Sequence, residues 1–141
     1  MRNLGKQRSK RLLQAAVAVC CLAPILGGGA GLLLGPAMIG GASGDARDLD
    51  SHFRYLSGLL LGIGLAYAAS IPGIERKRVS FILLGSIVVI GGIGRLLSLL
   101  SQGVPSPTML GALAMELVVT PFLTLWQLRV ARREGGRYLS R

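Results

Sequence analysis

The feature that most constrains this chain is a set of four long apolar stretches. Each is near the ~20 residues a helix needs to cross a bilayer. They are LLQAAVAVCCLAPILGGGAGLLLG (12–35), FRYLSGLLLGIGLAYAASI (53–71), VSFILLGSIVVIGGIGRLLSLL (79–100) and MLGALAMELVVTPFLTLWQL (109–128). Strands are a poor reading, because the stretches are too long and lack period-two alternation. A soluble domain is equally poor: charged residues make up 16% of the chain, against roughly 25% in soluble domains. The expected fold is all-α, a four-transmembrane-helix bundle forming one membrane domain over residues 12–128. A basic segment (1–11) precedes it and a basic tail (129–141) follows.

The loops set the expected orientation. Arg2, Lys6, Arg8, Lys10 and Arg11 precede the first stretch. Arg76, Lys77 and Arg78 lie between the second and third, and Arg129, Arg132, Arg133, Arg137 and Arg141 follow the fourth. The alternate loops differ: one carries Asp45, Asp48 and Asp50 with a single arginine, and SQGVPSPT carries no charge. Thirteen of the sixteen basic residues therefore fall on one side of a four-span path. Cytoplasmic flanks are rich in Lys and Arg, so both termini are expected in the cytoplasm and the chain in the inner (plasma) membrane. The net charge of +10 follows from those flanks. With 5% aromatic residues and no base-reading motif, the expected partner is the lipid bilayer rather than nucleic acid.

The first stretch begins like a secretory signal, but its apolar run exceeds the 7–15 residues of a signal core. An uncleaved helix is the favoured reading, with Pro24 and Gly27–Gly29 as points of kinking or loosening. Cys20 and Cys21 are adjacent in that run, and adjacent cysteines mid-span read as apolar packing. Neither they nor the single His52 make a metal site.

Three charges enter the apolar stretches: Arg54, Arg95 and Glu116. A charge at mid-membrane costs about 2.5–3.5 kcal/mol on insertion scales, so it finds a partner, faces protein or snorkels. In the four-span path Arg95 lies roughly 8 Å, and Glu116 roughly 10 Å, below the outer end of its helix. Arg54 opens the second span on the same side. The short SQGVPSPT loop makes spans three and four antiparallel neighbours. An Arg95–Glu116 pair is expected, with Arg54 as a second cation nearby and His52 and Asp50 just above. Ser98 and Thr120 are the supporting polar residues. Stripes at four-residue spacing (Arg54, Gly58, Gly62, Ala66, Ser70; and Ala112, Glu116, Thr120, Thr124) point these groups toward neighbouring helices, since small and polar residues favour helix contacts in lipid. Pro121 frees the carbonyl of Leu117, which shapes a cavity or a tolerated kink. Trp126 and Gln127 read as an interfacial anchor.

No nucleophile–base pair, phosphate loop, zinc motif or dinucleotide fingerprint is visible. No catalytic, cofactor-binding or metal residues are therefore assigned, and the chain is not expected to be an enzyme. Two readings of the charges stand: a non-enzymatic membrane protein whose charged cluster holds the bundle or a partner (a second copy or another membrane protein), or a small transporter or ligand- or lipid-binding module using Glu116. The small molecule in the second case is unspecified.

Three segments, LDSHFRYLSGLLLGIGL, GGIGRLLSLLSQGVPSP and AMELVVTPFLTLWQLRVARR, resemble the bacterial small membrane proteins grouped as domain-of-unknown-function family 4345. The resemblance runs from about Asp50 to Arg133. It rests on Arg54, the run Gly94, Arg95, Leu96 and Ser98, the glutamate Glu116, and the WQLR end from Trp126 to Arg129. It implies a four-helix membrane protein and no substrate. Small multidrug exporters also have four short spans and a membrane glutamate. Theirs is in the first span, whereas Glu116 is in the fourth with arginines nearby.

Overall fold

A computed structural model describes the backbone of residues 2–39 and 47–135 and the side chains of residues 5–37 and 47–133. Asp45, Arg137 and Arg141 lie outside the described residues. The described chain is helical, with no strand. Its elements are α1 (Arg2–Leu34), a 3₁₀ segment (Gly35–Ile39), α2 (Arg47–Ser70), a 3₁₀ turn (Ile74–Arg76), α3 (Arg78–Gln102), α4 (Pro107–Ala114), a π-turn (Met115–Val119) and α5 (Thr120–Gly135). Four helical stretches are long and apolar enough to cross a membrane: Gly5–Ala37, Arg47–Ser70, Arg78–Gln102 and Pro107–Arg133. The most apolar part of each is only 6–22% buried, so Leu26, Leu59, Ile90 and Val118 point outward. A water-soluble chain would hide such surface; lipid covers it without cost.

The chain divides into two compact units, Ala15–Ile71 and Met1–Gln14 with Pro72–Arg141. In the first, α1 and α2 pack through glycine. A Cβ added at Gly28 would meet the backbone N of Leu61 at 2.5 Å and the carbonyl O of Ser57 at 2.8 Å. One added at Gly64 would meet Ile25 Cγ1 at 2.8 Å. Bare glycine lets the two backbones touch, which is how helices gain contact in lipid. The expected α2 stripe is corrected here: Gly62 faces open space, and the buried residues of α2 are Ser57, Gly64 and Ser70. Their contact line is offset from the four-residue spacing because the seven-residue step from Ser57 to Gly64 tracks a helix face more closely. Pro24 and Gly27–Gly29 do not interrupt α1. The Pro24 ring instead sits against Gly64, and Gly28 makes the close approach. Cys20 and Cys21 are both free thiols; Cys21 is buried and donates to the Val17 carbonyl at 2.8 Å.

In the second unit α3 runs beside α4, the π-turn and α5. Gly92 accepts Glu116 and Leu117, whose Cβ and Cδ2 atoms lie 2.9 and 2.7 Å from where a Cβ would stand. Gly85 similarly accepts Thr124 Oγ1 at 2.6 Å. These two glycines are seven positions apart, as are Leu117 and Thr124, the side chains that lie closest to them. The π-turn, Met115–Val119, carries Glu116 beside Leu117 at Gly92. It also answers Pro121, which cannot donate to Leu117. The preceding Thr120 N–H reaches back to the Met115 carbonyl, and the Thr120 hydroxyl donates to the same oxygen at 2.9 Å.

The first helix starts earlier than its apolar stretch suggests. α1 begins at Arg2, so the basic segment before residue 12 is helical. Its 33 residues extend about 50 Å, well beyond the ~30 Å of a hydrocarbon core.

Candidate functional site: two arginines and a glutamate

Arg95 lies on α3, and Glu116 occupies the second position of the π-turn. Arg95 Nε donates to both carboxylate oxygens of Glu116 at 3.0 Å. Arg95 Nη1 donates to the sulfur of Met109 at 3.1 Å. The carboxylate is mostly covered, with 16% of its side chain exposed, while Arg95 is 37% exposed. Gly92, one turn below Arg95 on α3, leaves room for the Glu116 stem. The guanidinium thus gives one N–H to a charge and one to a weak thioether acceptor. Thr120 lies beneath, committed to the Met115 carbonyl. Ser98 is exposed, and its carbonyl accepts from Ser101 at 3.3 Å.

Arg54 has other partners, all within the α1–α2 unit. Nε donates to Asp50 Oδ2 at 2.9 Å. Nη1 donates to the carbonyls of Leu32 and Leu33 at 2.8 and 2.9 Å. These are among the last carbonyls of α1, which have no intrahelical donor. Arg54 therefore caps the C-terminus of a neighbouring helix, where a cation also suits the helix dipole. The chain turns away at Gly35 with φ +64°. A Cβ there would lie 2.6 Å from Asp50 Oδ1 and 2.7 Å from Arg54 Nη2, so glycine serves both conformation and space. The structure places Arg95 with Glu116, and Arg54 with Asp50 and the α1 end, in different units. His52 is exposed, its ring 6.4 Å from that of Tyr55.

The α1 extension makes contacts that its basic composition does not suggest. Lys6 Nζ donates to the Arg133 carbonyl at 3.2 Å, and Trp126 Nε1 donates to Ser9 Oγ at 3.1 Å. Lys10 Nζ lies 2.9 Å from Glu75 Oε2, and Leu13 is fully buried. Positions 6, 9, 10 and 13 share one helical face, a signal present in the sequence but hidden by its basic composition. Burial pushes the Glu75 carboxyl up, but Lys10, its own backbone and the Arg76 charge outweigh that, and its pKa falls below the ordinary value. Gln127 is corrected from an interfacial anchor to a core residue. It is fully buried and donates to the Ile74 carbonyl at 2.8 Å, because α5 turns that face onto the loop before α3. Met109, beside Arg95, also gave no sequence signal as a donor's partner.

Among the described residues, no group of three His, Cys, Asp or Glu could hold a metal ion. A family described as Domain of unknown function (DUF4345) matches residues 12–127. No curated protein and no solved structure matches the chain.

Proposed function

This chain belongs to the DUF4345 family, and on that premise we propose that it is a multi-pass inner-membrane protein without enzymatic activity. Both termini are cytoplasmic, and Arg95–Glu116 ties α3 to the fourth span in the outer half of the bilayer. The observation that carries this reading is the ion pair itself, closed at 3.0 Å over Gly92. In lipid neither charge has water to fall back on, so each requires the other. The tie holds the bundle, or a second membrane protein seated against it.

One observation favours the ligand-binding alternative: Glu116 sits in a π-turn, and such turns recur at functional sites. Native mass spectrometry of the wild type and Glu116→Gln separates the two. A structural tie predicts reduced folded yield for Glu116→Gln and no retained small molecule in either protein. A variant of normal yield that loses a small molecule retained by the wild type assigns Glu116 to binding instead. Orientation is tested by single introduced cysteines in a Cys20/Cys21-free background. A cysteine at Ser106 is labelled from outside the cell and one at Lys77 is not; the reverse pattern overturns the orientation.

A further inference from the structure

We infer that the outward face of the α1 extension, built on Arg8 and Arg11, is a binding site for anionic phospholipid headgroups of the cytoplasmic leaflet. This rests on the membrane reading above.

The extension has two faces. Lys6, Ser9, Lys10 and Leu13 fasten one of them to the unit containing α3 and α5. A basic peptide with no such fastening would fray and sample many conformations; this one is fastened at three separate points. The opposite face carries Gln7, Arg8, Arg11 and Leu12, which border a shallow, open space of about 420 Å³. Arg8 and Arg11 are exposed and three positions apart, so their guanidinium groups share one side of the helix. Nothing described nearby supplies counter-charge. The two carboxylates whose side chains are described in this unit, Glu75 and Glu116, are already matched by Lys10 and Arg95. Among the described residues, Arg8 and Arg11 thus present their charge outward.

The side chains of this face also select the kind of molecule. Leu12 is 53% exposed and lies one helical turn from Arg8, about 6 Å along the axis. It opens the apolar run of the helix. Cation on one side and apolar surface on the other, within one turn, fit an amphiphile with an anionic head. Arginine presents a planar fork that matches phosphate oxygens, and basic residues at a span's cytoplasmic edge draw anionic lipid. A free phosphate would use the arginines and leave Leu12 without a role.

The delipidated protein in detergent, titrated with phosphatidylglycerol or phosphatidylcholine and followed by native mass spectrometry, tests this. The wild type is expected to retain phosphatidylglycerol roughly tenfold better than phosphatidylcholine. R8Q/R11Q should erase that preference and L12Q should weaken it, while R129Q/R132Q keeps most of it. Equal retention of both lipids by the wild type overturns the inference, as does an unchanged preference in R8Q/R11Q. Displacement of the lipid by millimolar inorganic phosphate would reduce the site to a plain anion site and also overturns it. The membrane reading is checked separately. Acyl-brominated phosphatidylcholine should quench Trp126, the one tryptophan, in wild type and R8Q/R11Q alike. Absent quenching in both overturns the membrane reading and the inference with it, whereas quenching in both with equal retention of the two lipids overturns the inference alone.

Discussion

The α1–α2 hairpin and the hairpin of α3 with α4–α5 solve one problem in two ways. Each packs through glycine, and each carries an arginine near one end of its apolar stretch. In the first, Arg54 is satisfied by Asp50 four residues away and by the carbonyl end of α1. In the second, Arg95 is satisfied by a carboxylate from the facing helix. An arginine in an apolar segment therefore does not imply a facing acid. A helix terminus supplies comparable negative potential, because its last carbonyls are unpaired and its dipole ends there.

Substitutions can break this comparison at several points. The largest effect is expected where backbone meets backbone. Gly28→Leu should cost about 1–3 kcal/mol or more and lower folded yield in detergent, because Leu61 N and Ser57 O cannot move aside. Gly62→Ala faces open space and should stay within about 0.5 kcal/mol. Measured side by side by SDS unfolding, equal effects would contradict the α1–α2 contact line.

Next comes the facing acid. Glu116→Gln should cost about 1–2 kcal/mol, since Arg95 loses its charged acceptor. Arg54→Met should cost about 1 kcal/mol through lost capping, with Asp50→Asn costing less, because the two carbonyls remain. If Asp50→Asn proves as harmful as Arg54→Met, Arg54 depends on its acid as Arg95 does, and the contrast fails.

The smallest effect lies at Glu75, outside the apolar spans. Its pKa is lower folded than unfolded, so it contributes stability above the unfolded value, and this is lost as pH falls through the lowered folded value. Unfolding measured from pH 6 down through the range below about 4.3 should show a loss under about 1 kcal/mol. Lys10→Met should largely remove that pH dependence.

The four apolar helices and the Arg95–Glu116 juxtaposition were legible because length, hydropathy and a short loop fix them almost alone. The partner of Arg54 was not, since a carbonyl at a helix end leaves no mark in side-chain pattern. The α2 contact line departs from the four-residue stripe because every-fourth-residue spacing drifts around the helix, whereas Ser57 and Gly64, seven apart, stay on one face. The π-turn was half legible. Pro121 marks a defect in hydrogen bonding, but the Thr120 N–H reaching five residues back to the Met115 carbonyl, which shows that the helix widens there, has no counterpart in side-chain pattern. The α1 extension was hidden for a compositional reason. Its fastening residues are two lysines, a serine and a leucine, and lysine in a basic leader reads as solvated.

Arg95 and Glu116 act as a tie rather than as two independent polar groups. A double-mutant cycle in detergent, using Arg95→Glu, Glu116→Arg and the swapped pair, measures this directly. Each single variant should lose folded protein and the swap should recover a clear part of it, with a coupling of about 0.6–1.7 kcal/mol. Additive losses, with the swap as damaged as the two single changes together, would contradict it.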